Sequence, residues 1–132
     1  WENKLAPHGT GMRPFNPLAI ALASGASFIA RGFSGDPSGL TRLITEGIEH
    51  KGFSFIEVLS PCTTFRPEQK EWKTRVKPLE EEPTDNAAVA AQRIYTLGEF
   101  LTGIVYQADL PVWQPVTGIS ASVEQFAGEF EL

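Results

Sequence analysis

Three side chains in this sequence are of types suited to nucleophilic or metal chemistry: the single cysteine, Cys62, and the two histidines, His8 and His50. A thiolate acts either as a nucleophile or as a metal ligand. The first role needs a base within hydrogen-bond reach, and spacing alone puts neither histidine beside Cys62. The second needs further ligands, because one sulfur does not make a metal site. A third reading makes Cys62 a small buried hydrophobe. Its neighbours set its position. Residues 52–65 read GFSFIEVLSPCTTF, where Phe53, Phe55, Ile56, Val58 and Leu59 form an apolar run with Glu57 as its one charge. Such a run, bounded by Gly52 and Pro61, suits a buried strand of a parallel sheet. Pro61 ends it, having no N–H to give a ladder. Cys62 then stands just past the C-terminal end of a strand, the edge of open α/β sheets where ligands collect.

The elements before that strand carry clear signals. Asn16-Pro17 opens a helix with an N-cap oxygen and a proline at the first helical position. Residues 18–23 are apolar all round, which predicts burial on most sides, and Gly25 is a natural stop. Residues 27–31 read as a short strand. Gly32 and Gly35 mark a turn, without the spacing of a phosphate-binding loop. Asp36-Pro37 caps a second helix that runs to about Glu49. Leu40, Leu43, Ile44 and Ile48 fall on its core-facing side, and His50 lies in its last turn, where a cation suits the helix dipole. Helix, strand, helix, strand in this order implies a parallel crossover.

The later chain is less explicit. Residues 68–75 suggest a short helix carrying Trp72. Lys70, Lys73, Arg75 and Lys77 answered by Glu80, Glu81 and Glu82 read as a solvated connector. Asn86 and its neighbours cap an Ala-rich helix over 87–95. Residues 104–107 and 112–114 read as a surface β-hairpin around Asp109-Leu110-Pro111. Val123, Phe126, Ala127 and Phe130 have helical spacing near the end. Residues 1–15 are loop-like. Two parallel strands make a poor free-standing sheet, so part of the sheet is expected to come from outside this chain.

The chain has 132 residues, 42% hydrophobic and 20% charged, with a formal net charge of −5. That is enough for one core. The charge and the lack of a basic face argue against nucleic acid as a partner. The longest apolar stretch, residues 18–23, is too short to cross a bilayer, so no membrane association is expected. A single cysteine excludes an internal disulfide and fits a reducing, cytoplasmic setting. A start at Trp1 reads as a piece of a longer polypeptide.

The run FSFIEVLSPCTTF, together with NPLAIALASGASFIARGFSGDPSGLTRLITEGIEHKG before it, resembles the beta subunit of 2-oxoacid:ferredoxin oxidoreductases, most of all the 2-oxoglutarate branch. The likeness is dense over residues 16–72 and fades beyond 114. It implies a partial three-layer, parallel-sheet α/β domain that binds thiamine diphosphate, its C-terminal part at 1–78, followed by a C-terminal extension at 79–132. It implies oxidative decarboxylation of a 2-oxoacid to an acyl-CoA, with electrons passed to ferredoxin and an alpha subunit as partner. Thiamine diphosphate, Mg²⁺ and a [4Fe–4S] cluster are the implied cofactors. Pro61-Cys62 matches the family's step at the last of four cluster thiolates, so Cys62 becomes a metal ligand, and His8 and Thr10 fall near a cofactor edge. The family's Gly-Asp-Gly-Asp run and its Cys-x-x-Cys pair are absent here, so the chain alone is expected to be inactive. Two other classes stay open: a small enzyme with Cys62 as nucleophile, and a noncatalytic interaction domain using Tyr106, Trp113, Phe126 and Phe130.

Overall fold

The computed structural model of the chain describes residues 7–9 and 11–114. The expected terminal helix around Val123 to Phe130, and Thr10, lie outside them. Helix α1 (Pro17–Ala23) is capped by Asn16, whose side-chain oxygen accepts from the Ala19 N–H at 3.1 Å. It leads into strand β1 (Phe28–Phe33), helix α2 (Pro37–Glu49), capped by Asp36 on the Gly39 N–H, and strand β2 (Ser54–Leu59). A 3₁₀ turn (Pro67–Glu71) runs into the short helix α3 (Trp72–Arg75) and the two-residue strand β3 (Lys77–Pro78). Helix α4 (Ala87–Thr96), capped by Asn86, and strand β4 (Leu101–Gln107) follow, the last elements among the described residues.

The four strands form one sheet in the order β2-β1-β4-β3. β1 pairs parallel with β2 and β3 pairs parallel with β4, whereas β1 and β4 are antiparallel. Helices cover both faces. On one side α1 and α4 bury Leu18, Ala21, Ala90 and Ile94 against Ile29, Val105 and Tyr106. On the other, Leu43 of α2 packs with Phe28 and Ala30. The architecture is therefore a mixed α/β sandwich of three layers.

β1 is the centre. Five of its six residues are buried, Arg31 being the one that is not. Its register against β4 slips between Ile29, opposite Tyr106, and Ala30, opposite Ile104. Val105 is the extra residue of this bulge. The consequence is visible in the packing: Val105 and Tyr106, adjacent in sequence, both enter the core under α1 and α4, while Ile104 packs on the opposite side. A regular strand would have sent neighbours to opposite faces.

Four expectations from sequence are corrected. Residues 104–107 do not begin a surface hairpin: β4 fills the second edge of β1, and residues 112–114 form no strand. β2 is not a fully buried interior strand but an edge strand among the described residues, half-buried along most of its length. The apolar stripe of α2 divides, with Leu43 buried and Ile44 and Ile48 facing out. In α1, Ile20 is exposed, so burial is confined to one side of that helix.

His50 has a role beyond its favourable place at a helix end. Its Nε2 lies 2.8 Å from the Oγ of Ser27, which is buried, and its ring sits 5.5 Å from that of Phe28. This ties the end of α2 to the start of β1. Gly52, at φ +140°, passes so close that an added Cβ would come within 2.3 Å of the Ser27 hydroxyl. Gly52→Ala is therefore expected to destabilise the fold, through both strained backbone and a broken Ser27–His50 contact. Phe28→Ala should cost about 3–5 kcal/mol. Ile48→Ala, on the open side of α2, should change stability by no more than about 0.5 kcal/mol. Urea unfolding midpoints check the order, and equal losses at Phe28 and Ile48 would contradict the core assigned here.

Candidate functional site

Cys62 is exposed. The reading of it as a small buried hydrophobe is thereby set aside. It sits three residues past the end of β2, in a turn closed by the Arg66 N–H donating to the Cys62 carbonyl at 2.9 Å. The Cys62 N–H donates to the side-chain oxygen of Gln69 at 2.7 Å, and Gln69 is buried despite its polarity. Burying a carboxamide is costly unless it is bonded, and this bond fixes the backbone that carries the thiol. Gln69 is a positioning residue that nothing in its sequence context marks out. A lone Gln in PEQKE reads as an ordinary solvated side chain.

A relay of contacts anchors the turn to the sheet. The 3₁₀ turn bearing Gln69 continues into α3, whose Trp72 meets the Phe100 ring edge-on, with ring centroids 5.5 Å apart. The Arg75 guanidinium lies over the same ring at 3.9 Å. Phe100 directly precedes β4, and its carbonyl accepts from the Lys77 N–H. Beside this, Arg31 of β1 bonds the Glu57 carboxylate of β2 at 2.5 Å and the Gly98 carbonyl at 3.2 Å. The single charge in the apolar run of β2 is thus answered by its register partner, Arg31. Within the turn, Arg66 bonds Glu68 and, together with a backbone hydrogen bond, holds the exposed Glu68 carboxyl below the usual carboxylate range. A lowered folded-state value means that this small contribution is present above the ordinary carboxylate pKa. It is lost as pH falls through the lowered one.

The histidines are elsewhere. His50 precedes β2 and Cys62 follows it. At a rise of about 3.3 Å per residue, six strand residues separate them by roughly 20 Å. His50 is therefore no base for Cys62. His8 is exposed in a turn ahead of α1. The Ser27–His50 pair is a latch, since the Ser27 N–H donates to the Phe53 carbonyl and its own carbonyl accepts from the Ala108 N–H. Of the aromatic residues considered as an interaction surface, Trp113 is exposed and Tyr106 belongs to the core. Phe126 and Phe130 lie outside the described residues. Among the described residues, no group of three or more His, Cys, Asp or Glu is arranged to hold a metal ion, and no helix is long and apolar enough to cross a membrane. A single exposed thiol on a fixed turn fits one corner of a cluster and no more.

Two outcomes test the site. Cys62 should be alkylated by iodoacetamide in the folded chain, at a rate that low concentrations of urea leave unchanged. A rate that rises with unfolding would mean a shielded thiol. Gln69→Leu removes the acceptor of the Cys62 N–H and should cost about 1 kcal/mol, with faster amide hydrogen exchange at Cys62.

No protein-family model matches the chain. Comparison with curated proteins finds a 2-oxoacid:ferredoxin oxidoreductase beta subunit from Saccharolobus solfataricus, 39% identical over 71 residues, which make up 52% of this chain and 23% of that subunit. The 2-oxoglutarate synthase subunit KorB of Archaeoglobus fulgidus is 34% identical over 79 residues, 60% of this chain and 27% of the relative. The chain thus spans about a quarter of the length of these relatives. Among solved structures, a 2-oxoglutarate:ferredoxin oxidoreductase from Magnetococcus marinus, with 2-oxoglutarate, coenzyme A and succinyl-CoA bound, matches with a TM-score of 0.71 and 29% identity. The match takes in 82% of this chain and 38% of that one. The chain is accordingly a homologue of part of the beta subunit of 2-oxoacid:ferredoxin oxidoreductases.

Proposed function

We propose that the chain works as part of the beta subunit of a 2-oxoacid:ferredoxin oxidoreductase that converts a 2-oxoacid, with 2-oxoglutarate as the expected substrate, into its acyl-CoA while passing electrons to ferredoxin. The observation that carries this reading is the joint match in sequence and structure, 29% identity over a shared fold at a TM-score of 0.71. An alpha subunit is the expected partner, and the cytoplasm the expected setting. In this reading residues 1–78 are the C-terminal part of the thiamine-diphosphate-binding domain. Residues 79–132 are an extension that lends β4 to the sheet. Thiamine diphosphate with Mg²⁺ supplies carbanion chemistry when bound, and a [4Fe–4S] cluster takes up electrons singly.

The contribution of this chain is narrower. Cys62 presents one thiol at the C-terminal end of the sheet's parallel pair, on a turn held by Gln69 and anchored through Trp72 and Phe100. One thiolate cannot hold a four-iron cluster, and the chain has no second cysteine. Cys62 therefore acts as a ligand only alongside sulfurs from the rest of the subunit, and the chain alone is inactive. Cys62→Ser in the complete polypeptide that carries it should lower bound iron and oxidoreductase activity together. Unchanged iron content overturns the assignment of Cys62.

A further inference from the structure

We infer that Gln69 tunes the reduction potential of the iron–sulfur cluster that Cys62 helps to hold: by occupying the Cys62 N–H, its side chain keeps that donor from the cluster's sulfurs and so lowers the potential. The inference rests on the reading of Cys62 as a cluster ligand and adds a residue that acts on the cluster through it.

The bond is costly for a small structural gain. Within the 3₁₀ turn Pro67–Glu71, Glu68, Lys70 and Glu71 are exposed, and Gln69 alone is turned inward, with 6% of its surface exposed. Its carboxamide gives up water, and its long side chain gives up rotamer freedom. In return its side-chain oxygen sits 2.7 Å from the Cys62 nitrogen. Cys62 lies in an exposed turn, where water could satisfy the same N–H. Closing the turn does not require Gln69 either, since the Arg66 N–H already does so on the Cys62 carbonyl.

The place of this N–H explains the arrangement. Pro61 has no N–H, so the Cys62 amide is the first backbone donor after Ser60, and it belongs to the residue that carries the sulfur. Hydrogen bonds to the sulfurs of an iron–sulfur cluster stabilise its reduced, more negative state and raise the potential. A donor already engaged by a carboxamide oxygen does not do this. Charge beside the thiol is handled in the same way. Arg66, the one cation among residues 60–69, is bonded to Glu68, so it lends the thiol little net positive charge. Both arrangements favour a cluster that gives its electron up readily, which suits a chain whose proposed role is to pass electrons on.

The test uses the complete polypeptide that carries the chain, with its cluster loaded, in a redox titration followed by electron paramagnetic resonance. Gln69→Leu frees the Cys62 N–H and should raise the midpoint potential. At the parent's midpoint the ratio of reduced to oxidised cluster should become roughly tenfold higher, about 59 mV for one electron. Gln69→Met, of nearly the same length but without a comparable acceptor, should shift the potential in the same direction. Gln69→Glu keeps an acceptor at the same reach and should hold the potential at or below that of the parent. Trp72→Leu loosens the same turn without touching the bond and should leave the potential unmoved. Bound iron should match the parent throughout. A potential that stays or falls with Gln69→Leu, or that rises equally with Trp72→Leu, overturns the inference and leaves Cys62 as a ligand. Loss of iron in both the Leu and the Met variants assigns Gln69 to holding the turn alone and overturns the inference as well. Iron that Cys62→Ser leaves unchanged removes the reading beneath it, and the inference with it.

Discussion

The burial of β1 governs the rest of this structure. Phe28, Ile29 and Ala30 have no solvent exposure, so every N–H and carbonyl along them must find a protein partner. β2 satisfies one edge in parallel and β4 the other in antiparallel. The faces are closed by α1 and α4 on one side and α2 on the other. Little freedom remains at such a position. Arg31, the one polar side chain of the strand, is accommodated because Glu57 and the Gly98 carbonyl meet its guanidinium where the sheet opens toward solvent. A charge in a half-buried site costs less when it is hydrogen-bonded, and Arg31 links β1 to β2 and to the turn before β4.

From that centre, order spreads unevenly. The side facing β4 is well finished. The bulge at Val105 sends two adjacent residues into one core layer, and the short β3 with its proline closes the sheet. Cys62 belongs to this ordered side through Gln69, Trp72 and Phe100, although it lies past the end of β2. In the role proposed for Cys62 such anchoring helps, since a sulfur held in place loses less freedom on coordination. The side of β2 facing away from β1 is more open, with Val58 and Ile48 exposed.

Local signals in the sequence placed the first half of the fold. Asn16-Pro17 and Asp36-Pro37 marked the starts of α1 and α2, because an N-cap oxygen and a proline act within a single turn. The apolar run ended by Pro61 marked β2 and put Cys62 beyond it. The resemblance to 2-oxoacid:ferredoxin oxidoreductases rested on those same residues, and the comparisons bear it out at the level of the family. The later half carries weaker local signals. GIVYQ was recognisable as a strand, but its nearest sequence neighbour is not its partner.

By itself, the sequence determined what short-range chemistry determines: helix caps, strand lengths, the break before Cys62, and the single thiol that rules out a self-contained cluster. Tertiary structure decided which strand lies beside which. β4 belongs next to β1 because a fully buried strand needs both edges paired, a demand that no local window reveals. It also decided which half of an apolar stripe is covered. Leu43 and Ile48 look alike in the pattern of α2, yet one rests on Phe28 and Ala30 and the other meets solvent, because among the described residues the sheet beneath the helix stops at β2.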